Sequence, residues 1–164
     1  MPILNKRLIK AAEMLGDVKS VADIGTDHAF LPIYLIREGI CERVIACDIA
    51  EGPLSVAATN ITKYGLLGKI ELRLADGLKG LKPMEVRGIT ILGMGGETIA
   101  DIIQDAPWVK NPEITLILQL MSCDDRLREY LHKNGFEIEK EEAVESQSRL
   151  YTVMRVRFSG VIMT

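Results

Sequence analysis

The chain has 164 residues, 48% of them hydrophobic, with a formal net charge of −3. That length supports one domain with a substantial core. The charge argues against a uniformly basic surface for nucleic acid or anionic membrane while leaving room for local basic clusters, and no apolar run approaches the length of a bilayer span. Cys41, Cys47 and Cys123 are scattered without metal-type spacing, and no charged leader precedes an apolar stretch. The expectation is a reduced, cytoplasmic protein with no membrane segment and no metal site.

Taken in chain order, Leu4, Leu8, Ala11, Ala12 and Leu15 share one helical face, and Gly16 is placed to end that helix. Val21 to Ile24 is a short β-branched run broken by Gly25. Thr26, Asp27 and His28 follow, and Ala29 opens a helical pattern through Leu31, Leu35 and Ile36. Arg43 to Ile49 reads as a second buried strand, and Gly52-Pro53 introduces a helix carrying Leu54, Ala57, Ala58 and Ile61 that stops near Gly65. Lys69 to Ala75 alternates with period two before an Asp76-Gly77 turn.

Gly88 to Leu92 is a fourth strand that delivers Gly93-Met94-Gly95-Gly96, and Glu97 to Ala106 continues as a helix with Ile99, Ile102 and Ile103 inward. Ile114 to Leu118 is the fifth strand. Asp124-Asp125 precedes a helix with Leu127, Tyr130 and Leu131 on its apolar face, ended by Asn134-Gly135. Phe136 to Glu145 and Leu150 to Phe158 flank a polar Ser146-Gln147-Ser148 turn and form an antiparallel pair. Alternating strands and helices require right-handed crossovers and a parallel sheet covered on both faces, to which the final hairpin adds an antiparallel strand.

In such sheets ligands bind beyond the carboxyl ends of the strands. Asp27, Asp48 and Asp76 stand at the ends of the first three strands. Asp48 is placed to accept both hydroxyls of a ribose; it would also serve as a helix N-cap, but Glu51 and Gly52 can fill that role. Asp27 is either a ligand-facing carboxylate or the cap of the following helix. Asp76-Gly77 either holds an adenine amino group or is a plain turn. The first turn has one glycine where a dinucleotide fold has G-x-G-x-x-G, which argues against NAD. A phosphate-cradling G-x-x-x-x-G-K-[ST] loop, a serine elbow and a Cys/His cluster are also missing. A nucleoside cofactor without phosphates points to S-adenosylmethionine. Gly93 to Gly96 then offers bare backbone at the neighbouring strand end, or serves only tight strand–helix packing.

Asp23 to Pro32 (DIGTDHAFLP), Ile91 to Gly96 (ILGMGG) and Leu116 to Gln119 (LILQ) together resemble the bacterial tRNA (adenine-22-N1)-methyltransferase family, which are class I S-adenosylmethionine-dependent enzymes. The resemblance runs from the first helix to the last strand. It implies an α/β, Rossmann-like class I methyltransferase fold: a seven-stranded, mostly parallel sheet with a C-terminal antiparallel hairpin and helices on both faces. Residues 1–164 would form one S-adenosylmethionine-binding domain. Gly25, Asp27, His28, Asp48, Ile49, Asp76 and Gly77 would surround the cofactor, with Gly93, Met94 and Gly95 beside the methyl group. Two departures stand out. Leu120 occupies a position where the family usually has proline, and the family's C-terminal coiled-coil domain is absent from these residues.

Adenine N1 is already a nucleophile, so the protein mainly has to align N1, methyl carbon and sulfonium and exclude water. Asp27 and Gln119 are the candidate catalytic residues near the base, with His28 ranked after them as a packing histidine. A weakly held tRNA partner would use Lys6, Arg7 and Lys10 on the first helix and Arg126, Arg128 and Lys133 on the helix after the fifth strand; each set is equally an ordinary solvated face. Phe30 and Tyr34 would stack a base or belong to the core. The competing readings are a small-molecule methyltransferase and a non-catalytic module that binds S-adenosylmethionine or RNA. Oligomeric state is not readable from the sequence.

Overall fold

The structure, a computed structural model, describes residues 4–121 and 125–162. Helix α1 (Lys6–Leu15) is capped by Asn5, whose side chain accepts the Leu8 N–H at 3.0 Å, and it ends at Gly16 with φ +68°. Strand β1 (Ser20–Ile24), α2 (Phe30–Arg37), β2 (Arg43–Asp48), α3 (Glu51–Lys63) and β3 (Ile70–Leu74) give the expected alternation. They are followed by β4 (Gly88–Met94), α4 (Gly96–Gln104), a 3₁₀ turn over Pro107–Val109, β5 (Thr115–Leu120), α5 (Asp125–Lys133), β6 (Phe136–Ser146) and β7 (Arg149–Phe158). Asp124, expected just before α5, and Cys123 lie outside the described residues.

The strands form one seven-stranded sheet in the order β3-β2-β1-β4-β5-β7-β6. All neighbours from β3 to β5 are parallel, and β7 is antiparallel to both β5 and β6. The fold class expected from alternation and resemblance is therefore the one observed. Because side chains alternate across a strand, each strand feeds both faces. Ala11, Leu15, Ile33, Leu35 and Ile61 of α1 to α3 pack with Val21, Val44 and Ala46 on one side. Ile99, Ile103, Leu127 and Leu131 of α4 and α5 pack with Ile24, Ile45 and Ile91 on the other.

Two strand ends depart from expectation for physical reasons, and the last turn has a geometry of its own. Ile49 lies past β2 and is 69% exposed, so the strand ends on Asp48. Strand β4 runs on to Met94 because Gly93, at φ +75°, forms a bulge that lets Leu92 and Met94 keep their pairing with Gln119 and Leu120. The turn of the final hairpin has Gln147 and Ser148 both at positive φ, the mirror-image turn that matches strand twist, although neither residue advertises it.

Candidate cofactor and methyl-acceptor crevice

The order β2-β1-β4 means that chain connections leave β1 in opposite directions, which opens a crevice beyond the carboxyl ends of β1 and β4. The turn after β1 is held against β2 by backbone. The N–H groups of Gly25 and Thr26 both donate to the Cys47 carbonyl at 2.9 Å. Asp48 completes the tie, its carboxylate accepting the Asp27 N–H at 3.0 Å and the Ala50 N–H at 3.1 Å. The backbone at Gly25, Asp27 and Ala29 is left-handed, with φ of +72°, +58° and +64°. That conformation is easy for glycine and tolerable for aspartate, but costly for alanine, and the bonds to β2 hold it.

Asp48 does not cap α3, which has no side-chain cap. Each oxygen accepts one backbone N–H, and a carboxylate has about four acceptor positions, so both oxygens can still accept a ribose hydroxyl. Asp27 is not a helix cap either. Its backbone is bound, while its side chain is 71% exposed and lies 3.7 Å from His28 Nε2, too long for a hydrogen bond. His28 packs edge-on against Phe30 at 5.6 Å, and its carbonyl accepts the Asn60 side-chain N–H. Phe30 lines the crevice, and Tyr34 packs half-buried against the α1 to α3 core.

Gly25, Asp27 and His28 share a cavity of about 90 Å³ with Arg7, Asp23, Thr26 and Leu92. Gly93 is beside it: a Cβ there would lie 3.5 Å from Arg7 Nη1. Met94 reaches back over the turn, its terminal methyl 2.6 Å from where a Gly25 Cβ would stand. A Cβ on Gly95 would meet nothing within 4 Å. Asp76 and Gly77 line a separate, smaller depression with Ile102 and Asp105, and Asp76 is paired with Lys79 at 3.2 Å. The Ala75 N–H donates to the Asp48 carbonyl at 2.9 Å, which sets that depression next to the end of β2.

Gln119 is fully buried at the end of β5. Its amide N–H binds the Leu120 carbonyl, and its oxygen accepts Arg7 Nη1 at 2.9 Å, so it stands behind Arg7. The expected basic faces are mostly paired. Lys10 bridges Glu13 and Glu142, Arg126 meets Glu97, Arg128 meets Glu141 and Lys133 meets Glu129. The thiols of Cys41 and Cys47 are pushed up by burial to about 12 and about 11 and stay protonated. No group of three or more His, Cys, Asp or Glu among the described residues is placed to hold a metal ion.

Sequence reasoning missed Asp23 as a site residue. Its carboxylate is 5% exposed and accepts hydrogen bonds from Thr90 at 2.7 Å and Thr26 at 2.8 Å. Burial raises its pKa to about 6, against the opposing pull of the two hydroxyls, with the Asp48 charge adding a little. The signal was an aspartate inside an otherwise apolar strand. Because the folded pKa lies above the unfolded 3.8, the folded state holds the proton more tightly. This contribution to stability is fully present below pH 3.8 and is lost as pH rises through about 6. Asp23→Asn removes that titration. The parent should gain about 2 kcal/mol relative to this variant between pH 7.5 and pH 4, as read from urea midpoints. A constant difference across that range would refute the assignment.

A methyltransferase-domain family profile matches residues 4–154. The curated tRNA (adenine(22)-N(1))-methyltransferase of Bacillus subtilis is 36% identical over 151 residues, which cover 92% of this chain. The chain spans 63% of that relative's length. The crystal structure of the B. subtilis m1A22 tRNA methyltransferase TrmK is 34% identical, with TM-score 0.90 over 96% of this chain and 67% of that one. Mycoplasma capricolum TrmK, solved with the cofactor product S-adenosyl-homocysteine, is 30% identical, with TM-score 0.87 over 99% of this chain and 72% of that one. With the aspartate-tied glycine turn, the bulged glycine strand end and these matches along nearly its whole length, the chain belongs to the tRNA (adenine-22-N1)-methyltransferase family.

Proposed function

We propose that the chain binds S-adenosylmethionine in this crevice and transfers its methyl group to N1 of an adenine in tRNA, adenine-22 by family membership. The observation that carries the reading is the Asp48 carboxylate, which joins the two strand ends under the crevice and keeps acceptor positions on both oxygens. The residues present fit the cofactor. Asp48 takes the ribose hydroxyls, exposed Ile49 gives the adenine an apolar face, Asp76 and Gly77 lie at its amino edge, and Gly25 supplies the left-handed turn that brings the Asp27 N–H to Asp48.

When bound, the cofactor supplies an electrophilic methyl group on a sulfonium. The chain's residues then have to position the acceptor, because the N1 lone pair attacks without removal of a proton. Bare backbone at Gly93 and Gly95 lets a flat base come close. Accepting the methyl group at N1 would leave the adenine ring positively charged. The exposed Asp27 carboxylate offsets that charge. Extracting the base from its stack costs a few kcal/mol, which contacts to the RNA backbone must supply. A tRNA substrate implies work in the cytoplasm; among the described residues no helix is long and apolar enough to cross a membrane.

Primer extension on a tRNA pool incubated with protein and S-adenosylmethionine tests the proposal. N1-methyladenine blocks reverse transcription, so one new stop should appear at a single adenine. Protein that binds the cofactor but gives no new stop would exclude tRNA adenine as the acceptor.

A further inference from the structure

Most of the interacting cations in the described structure face a carboxylate, but Arg7 makes no ion pair among the described residues. It is nevertheless held in place. Nη1 donates to Gln119 Oε1 at 2.9 Å, and the guanidinium carbon lies 5.8 Å from the centre of the Tyr151 ring. Gln119 cannot turn away easily, because its own N–H is committed to the Leu120 carbonyl. Tyr151 comes from the tip of the β6–β7 hairpin, where β7 pairs with β6 past the Val153 register with β5. Three elements, α1, β5 and β7, therefore converge to aim one guanidinium at the cavity that also holds Asp23 and Gly25.

A guanidinium has five N–H donors in a fixed fork, and here one is used. The others have no protein acceptor among the described residues. A half-buried cation held in place with spare donors and no counter-ion is ready to take an anion, and the fork matches a planar carboxylate or a phosphate. We propose that Arg7, positioned by Gln119 and Tyr151, is the oxyanion-binding residue of the crevice. The inference rests on the reading under Proposed function, which offers two sources of that oxyanion. One is the carboxylate of the cofactor's amino-acid end, which the mixed charges of Arg7 and Asp23 suit. The other is a phosphate of the extruded nucleotide. Gln119, in this assignment, is a positioning residue that acts through Arg7.

The test uses the intact chain, Arg7→Gln, Arg7→Lys and Gln119→Glu. Gln119→Glu is close in size, gives up the N–H donated to the Leu120 carbonyl and gives Arg7 a permanent carboxylate partner, so it should reproduce the loss even if Arg7→Gln folds poorly. Calorimetry is run with S-adenosylmethionine and with 5′-methylthioadenosine, which lacks the amino-acid end, and tRNA binding is titrated at several salt concentrations. If the oxyanion is the cofactor carboxylate, Arg7→Gln and Gln119→Glu bind S-adenosylmethionine about tenfold or more weakly and 5′-methylthioadenosine as the parent does. If it is a phosphate, both nucleosides bind normally, tRNA affinity falls, and the slope of log affinity on log salt shrinks by about one. Arg7→Lys keeps charge without the fork and should recover only part of either loss. Parent-like affinity for both S-adenosylmethionine and tRNA in the Arg7→Gln and Gln119→Glu variants overturns the assignment alone. Equal losses for the two nucleosides also overturn it, because the crevice as a whole has then been disturbed. A parent chain that binds neither S-adenosylmethionine nor tRNA overturns the proposed function and this assignment with it.

Discussion

Asp48→Ala should bind S-adenosylmethionine at least about thirtyfold more weakly than the parent, a loss of about 2 kcal/mol or more. Two effects add. The variant loses the acceptor for the ribose hydroxyls, and it also releases the backbone N–H groups of Asp27 and Ala50, which the carboxylate holds at 3.0 and 3.1 Å. The second effect loosens a turn already in a left-handed conformation at Gly25 and Asp27. Asp48→Asn separates them: its amide oxygen can still accept one backbone N–H, so the turn should hold better while the ribose interaction weakens. Calorimetry on the two variants checks the assignment. Unchanged affinity in Asp48→Ala would move the ribose elsewhere.

For Asp27 the expected effect is on turnover. Asp27→Asn should lower kcat by about a hundredfold while leaving cofactor affinity within about threefold of the parent. Asparagine tolerates the φ of +58° about as well as aspartate does, and the bond to Asp48 comes from the main chain, so the substitution removes charge with little disturbance of the turn. The side chain is exposed at the mouth of the crevice and, at 3.7 Å from His28 Nε2, makes no hydrogen bond to it, which leaves it available to a substrate. Methyl transfer under saturating cofactor, beside calorimetry, separates the two quantities. If both fall by the same factor, Asp27 is a cofactor ligand.

What was legible in the sequence was what local chemistry decides. β-Branched runs ended by glycine or aspartate located β1, β2 and β4, and the i, i+3, i+4 face of Leu4, Leu8, Ala11 and Leu15 located α1. The three strand-end aspartates were found for the same reason. What was not legible depends on residues distant in the chain. Gln119 is a polar side chain at a strand end, but its orientation is set by Arg7, 112 positions away. Arg7 itself looks like one more cation on an amphipathic helix until the hairpin carrying Tyr151 folds back beside it. The bulge at Gly93 was hidden because a glycine stops a strand pattern whether or not pairing resumes after it. Asp23 lies within an apolar run, and its partner Thr90 comes from the strand laid next to it in space.

The position of β1 has a kinetic consequence. Val21 pairs with Val44 on one side and with Gly88 on the other, so the early βαβ unit can form from near neighbours while the seam to β4 waits for the later half of the chain. Closing that seam requires a long loop to be ordered before its contacts repay it, which places folding in the range of roughly milliseconds to seconds. The crevice floor lies on the seam. A ligand that needs both β1 and β4 in place cannot hasten the search that brings them together, but it can delay their separation. Refolding rates should therefore be indifferent to added cofactor, and the protection it gives should be seen as slower unfolding and slower proteolysis of the native chain.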